Sequence, residues 1–111
     1  MSQKNRIMIV LVAALALPLT AGAEGDPAQG RLKAETCLGC HAIENYTNVY
    51  PTYPVPRLGG QNAQYIMDAL RAYANGDRPH VTMHAQASTL SDEDMQDIAA
   101  YLSSSKKGAA K

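Results

Sequence analysis

The sequence predicts a small all-α domain, because two apolar stripes recur at helical spacing and no stretch alternates over a strand's length. Its 111 residues leave room for one domain at most. The first predicted helix starts near Asp26, with Pro27 suited to the first helical position, and runs through Gln29 to about Thr36. The second follows Gln61. Its Ile66, Ala69, Leu70 and Tyr73 fall at i, i+3, i+4 and i+7, and Asn75-Gly76 supplies a stop. The third begins at Ser91, which caps a first turn of Asp92, Glu93 and Asp94. Met95, Ile98, Ala99 and Leu102 then repeat the same spacing.

Two irregular stretches separate these helices. Residues 42–60 carry Pro51, Pro54, Pro56 and the Gly59-Gly60 pair, which forbid a continuous helix, and residues 77–90 form the other. Loops this long in so small a domain require an object for them to surround. The core has the same need: with no Trp and no Phe, the chain has little bulk of its own to bury. Residues 103–111 (SSSKKGAAK) read as a solvated end beyond the last helix.

The chain opens with Lys4 and Arg6, an apolar run over residues 7–19 and the small-x-small triplet Ala21-Gly22-Ala23. That is the pattern of an export signal spanning residues 1–23, and the competing reading is an uncleaved anchor. The expected organisation is a signal over 1–23, a domain over 24–105 and a flexible tail over 106–111, with the domain delivered to the periplasm. No stable membrane insertion is expected after cleavage. The ten basic and ten acidic residues balance, and loss of Lys4 and Arg6 leaves a slight acidic excess. Such a surface excludes nucleic acid as a partner.

Cys37-Leu38-Gly39-Cys40-His41 is C-x-x-C-H, the attachment signature of c-type haem. Two thiols one helical turn apart match the separation of the two vinyl groups they join as thioethers, and the next residue brings an imidazole to the iron. Three rivals explain less. A thioredoxin-like dithiol requires a βαβ setting, and a zinc site requires four ligands where only scattered His80 and His84 remain. A Cys37–Cys40 disulfide closes a tiny loop and leaves His41 without a role. For a sixth iron ligand the residues leave a choice. Met83 lies in a polar stretch where a thioether has no evident core role, while His80 and His84 compete as imidazoles. Met67 and Met95 belong to helix faces and read as core, and Met8 falls within the signal.

These features resemble the class I c-type cytochromes, in particular small bacterial monohaem proteins and single domains of the tandem dihaem kind. The resemblance rests on Gly30 in a helix leading to CLGCH, on PRLGGQ at residues 56–61, on YANGDR at 73–78 and on MHAQASTLSDEDMQDIAAYLSS from Met83. It implies a small cytochrome c fold of helices and loops around one covalent haem c. It implies that Met83, seven residues before Leu90, is the axial partner of His41. It also implies that the Pro56 carbonyl accepts a hydrogen bond from His41, and that Gly30 lets the first helix approach the last near Tyr101. One departure stands out: residues 43–55 replace a Gly-rich loop and carry Tyr46, Tyr50 and Tyr53, which read as loop packing ahead of cover for a haem edge. Arg57 either pairs with a propionate or sits in solvent. The implied function is one-electron carriage between redox proteins by a monomer that is not an enzyme. The alternatives are a permanent haem subunit of a periplasmic dehydrogenase and a gas-binding haem protein.

Overall fold

The computed structural model describes residues 25–105. Five helices and one minimal ladder follow in the order α1 (Pro27–Lys33), α2 (Glu35–His41), β1 (Thr47–Asn48), β2 (Tyr53–Pro54), α3 (Ala63–Asn75), α4 (Val81–Ala87) and α5 (Asp92–Ser104). The expected all-α class holds, and the export signal and the 106–111 tail lie outside the described residues.

The predicted first helix is two helices. Asp26 caps α1, its carboxylate accepting the Ala28 N–H at 2.8 Å, and Pro27 fills the first position as expected. The chain then turns at Ala34 (φ −86°, ψ 0°), which is fully buried, and resumes as α2. The Ala34 carbonyl accepts from the N–H groups of Cys37 and Leu38 at 2.9 and 3.1 Å, so the second helix is stitched onto the turn. Thr36 is therefore not an end but part of the helix that carries the Cys37–His41 motif. Nothing in local propensity marks the break, because alanine is at home in either helix. The packing of α1 on α5 sets the direction that α2 must leave.

That packing depends on Gly30. A Cβ there would collide with the Asp97 carbonyl and lie 2.8 Å from Tyr101 Cβ, so only a glycine lets the two backbones come this close. Beside the crossing, Lys33 bonds Asp97 at 2.6 Å and Asp94 at 2.9 Å, and the second Asp97 oxygen accepts the Asp26 N–H at 2.7 Å. Asp97 is buried, yet each of its oxygens has a donor.

Helices α3 and α5 form where the apolar spacing predicts. Asn62 caps α3 through the Tyr65 N–H, and Gly76 stops it in the left-handed region at φ 87°. Ser91 and Asp94 close a reciprocal capping box on α5. The core lies where these helices meet: Ile66, Met67 and Leu70 from α3, Ala87 from α4, and Met95, Ile98, Ala99 and Leu102 from α5. Met67 and Met95 are core residues, as read from the sequence.

Two boundaries differ from expectation. Residues 77–90 are not irregular throughout, because α4 occupies their centre. Seven residues are too short to display two turns of apolar periodicity, and its cap is His80, a residue outside the usual capping set. At the other end α5 continues through Ser104. The hydroxyls of Ser103 and Ser104 bond back to the Ala100 and Tyr101 carbonyls, so these serines sit in the last turn rather than in a frayed tail.

Candidate haem site

Helix α2 packs on α1, and a cavity of about 440 Å³ separates it from α3 and α4. One wall is the motif itself, with Cys37, Cys40 and His41 all half-buried and all lining the space. The extended segment 53–58 forms a second wall. Ile66, Ala69, Leu70 and Tyr73 of α3 form a third, and His80, Thr82 and Met83 reach it from α4 and its cap. Cys37 and Cys40 are not bonded to each other, so a disulfide does not account for the pair.

His41 is held by its neighbour in space. Its Nδ1–H donates to the Pro56 carbonyl oxygen 2.5 Å away, the contact the resemblance implies. A carbonyl only accepts, so the proton resides on Nδ1 and the Nε2 lone pair is left for a Lewis acid. The three candidates for a second ligand are placed differently. Met83 is half-buried, packs against the core and lines the cavity. His84 is exposed, contributes nothing to the cavity wall and places Nδ1 2.8 Å from the Tyr73 carbonyl. His80 lines the cavity, but its Nδ1 is engaged as the α4 cap, accepting the Met83 N–H at 3.3 Å.

The tyrosines of the 43–55 segment have different fates. Tyr46 is half-buried away from the cavity, which suits the packing reading, whereas Tyr50 is 93 % exposed and neither packs nor lines the cavity. Tyr53 lines the cavity and donates to Thr82 Oγ1 at 2.9 Å. Arg57 also lines the cavity, with Glu44 3.8 Å from its guanidinium.

Sequence reasoning assigned no role to Arg78. The left-handed stop at Gly76 reverses the chain, the Arg78 N–H bonds the Ala72 carbonyl at 3.0 Å, and the guanidinium lies 4.8 Å from the Tyr73 ring centre. It also donates to the Tyr65 hydroxyl at 3.3 Å. The Asn75-Gly76 stop was the available signal, since a tight reversal returns the next residues to the helix they have just left. Two arginines thus line the cavity and no carboxylate does.

The rival readings of the cysteines find no support in this geometry. Among the described residues no three His, Cys, Asp or Glu side chains converge as a metal group, which removes the zinc site. The ladder pairs Thr47 with Pro54 and Asn48 with Tyr53 only, far from a βαβ unit.

Fold and site together define a class, and the chain belongs to the c-type cytochrome family. Residues 24–102 match the family model described as cytochrome C oxidase, cbb3-type, subunit III. The chain is 34 % identical to cytochrome c4 of Pseudomonas aeruginosa over 102 residues, covering 92 % of this chain and 49 % of that protein. It is 42 % identical to cytochrome c-554(548) of Halomonas halodenitrificans over 83 residues, covering 72 % of this chain and 96 % of that one. Among solved structures it resembles cytochrome c4 of Acidithiobacillus ferrooxidans with a TM-score of 0.61 and 28 % identity, over 76 % of this chain and 52 % of that chain. That structure is described as supporting a complex-induced tuning of electron transfer. The chain spans about half the length of the cytochromes c4 it matches.

The cofactor of this family is covalently bound haem c, and Cys37 and Cys40 stand at its C-x-x-C-H spacing. The residues present fit it. A largely apolar cavity suits the macrocycle, and two thiols one helical turn apart suit its vinyl groups. An imidazole with a fixed tautomer suits the iron, and two arginines lining the cavity suit the propionates, Arg78 with no carboxylate paired to it among the described residues.

Proposed function

We propose that the protein is a periplasmic one-electron carrier with haem c anchored at Cys37 and Cys40 and ligated by His41 and Met83. One observation carries this reading: a tautomer-fixed imidazole and a half-buried thioether line the same cavity as the paired thiols. When bound, the group supplies a one-electron change between Fe(II) and Fe(III).

The chain's own residues determine how that change occurs. The Pro56 carbonyl orients the His41 ring and increases its electron donation. A Met83 ligand raises the reduction potential relative to a second imidazole, and with both side chains bound no position remains for a substrate. Ile66, Ala69 and Leu70 would keep water from a bound macrocycle, while Arg57 and Arg78 would offer positive charge to its propionates. The supporting relatives are named as cytochromes, and one is described in terms of electron transfer.

In this reading residues 1–23 direct export, 24–105 form the working domain and 106–111 form a tail. The domain is a monomer that docks transiently with redox proteins. Among the described residues no helix is long and apolar enough to cross a membrane.

The test is an optical and near-infrared spectrum of the ferric holoprotein. Met83→Ala is expected to lose the weak sulfur-to-iron charge-transfer band, and His84→Ala to keep it. Loss of the band in His84→Ala, or rapid carbon monoxide binding by the reduced wild type, would contradict the ligand set. Purification in fixed stoichiometry with a catalytic chain would replace the diffusible carrier by a dehydrogenase subunit.

A further inference from the structure

Helix α4, which carries Met83, has only seven residues and no acidic side chain in its first turn. Helices this short do not persist on their own, so tertiary contacts must hold it. At its far end Ala87 is buried in the core and His84 reaches the Tyr73 carbonyl; at its start a separate set of side chains meets. His80, with extended backbone at φ −166°, caps the helix by accepting the Met83 N–H through Nδ1. The imidazole is flanked edge-on by Tyr53, with ring centres 4.7 Å apart at 80°, and more loosely by Tyr73 at 6.1 Å. Tyr53 also donates its hydroxyl to Thr82 Oγ1 in the same turn.

Tyr53 reaches this turn from the other wall of the cavity. It lies on β2, in the segment that leaves His41 directly, and its place is fixed by the Asn48–Tyr53 register and by the Val55 N–H to Tyr46 carbonyl bond of 2.9 Å. One short hairpin therefore connects the end of the motif helix to the start of the methionine helix.

We propose that Tyr53 and His80 are positioning residues: together they latch the first turn of α4 and thereby hold the Met83 sulfur in the cavity. The proposal rests on Met83 as the axial ligand. Lifting of α4 withdraws the sulfur, and an added ligand binds only that lifted population. Its apparent affinity therefore measures the lifting equilibrium. Removing the Tyr53 hydroxyl forfeits one hydrogen bond, and removing the His80 ring forfeits the cap and its aromatic neighbours.

The experiment titrates the ferric holoprotein with imidazole at pH 8 and follows loss of the sulfur charge-transfer band. Tyr53→Phe is expected to bind imidazole about three- to tenfold more tightly than wild type. His80→Leu is expected to do so by about five- to thirtyfold. His80→Asn, whose side-chain oxygen can accept the same N–H, should fall closer to wild type than to His80→Leu. Affinities within about twofold of wild type for both Tyr53→Phe and His80→Leu would overturn the latch. So would an Asn variant that behaves like the Leu variant, because a filler role does not distinguish acceptor from hydrocarbon. A wild-type spectrum without the sulfur band overturns the Met83 assignment itself. That outcome is seen before any imidazole is added, so the two failures remain distinct.

Discussion

At Gly30 the whole difference between a packed and an unpacked pair of helices is one hydrogen atom. Gly30→Ala adds a methyl group against the Asp97 carbonyl, which is helix backbone and cannot turn aside as a side chain would. The gain in helix propensity, up to about 1 kcal/mol, is smaller than the clash. The variant is expected to lose about 1–3 kcal/mol in chemical denaturation. Residues whose chemistry is local were legible in the sequence: Cys37, Cys40 and His41 announce themselves by spacing, and all three line the cavity. Arg78 and the Tyr53–His80 contact were not, because each depends on partners brought near by chain reversal rather than by sequence. The residues alone favoured Met83 but left two histidines in competition with it. The difference between them lies in which side chains have other partners, and that is a property of the folded chain.

Among the elements, α3 and α5 were readable because each shows its apolar stripe over two turns and carries a recognisable cap. Helix α4 displays too little periodicity, and the α1–α2 break falls at an alanine that favours neither outcome. The contact between α1 and α5 carries its own pH dependence. Hydrogen bonds from Lys33 and from the Ser91 end of the helix hold the Asp94 carboxyl down to about 2, from an ordinary 3.8. Asp97 is lowered for a similar reason, first by Lys33 and then by the Asp26 N–H. A carboxylate whose value is depressed by folding stabilises the fold above its unfolded value and ceases to do so as pH falls through the folded one. Lys33 is raised by Asp97 and Asp94, so its contribution is complete below its ordinary 10.5 and is lost as pH rises from there through its folded value. Thermal unfolding should therefore show a loss of stability as pH falls from about 4 toward 2, and Lys33→Met should flatten that slope.

For the whole molecule the decisive fact is how little the chain buries unaided. Among the described residues only Ile98 and Leu102 are large side chains buried to completion, and the centre of the core sits on the α3–α5 side. A group filling the cavity would supply the contacts that α2 lacks. The chain in which Cys37 and Cys40 are both replaced by alanine is accordingly expected to be colourless, to lose helical circular dichroism and to melt without a sharp transition. A cooperative melt at the wild-type temperature would show instead that the polypeptide folds unaided.

The hydrogen bond between His41 and Pro56 spans 15 residues of chain, whereas that between Asp26 and Asp97 spans 71. Loop-closure entropy grows with the logarithm of the enclosed length, so the longer ring costs about 1.4 kcal/mol more to shut. The histidine's support is thus encoded in a short tract that can organise early. The meeting of α1 and α5 is the molecule's buckle, closing the longer of the two rings around the interior.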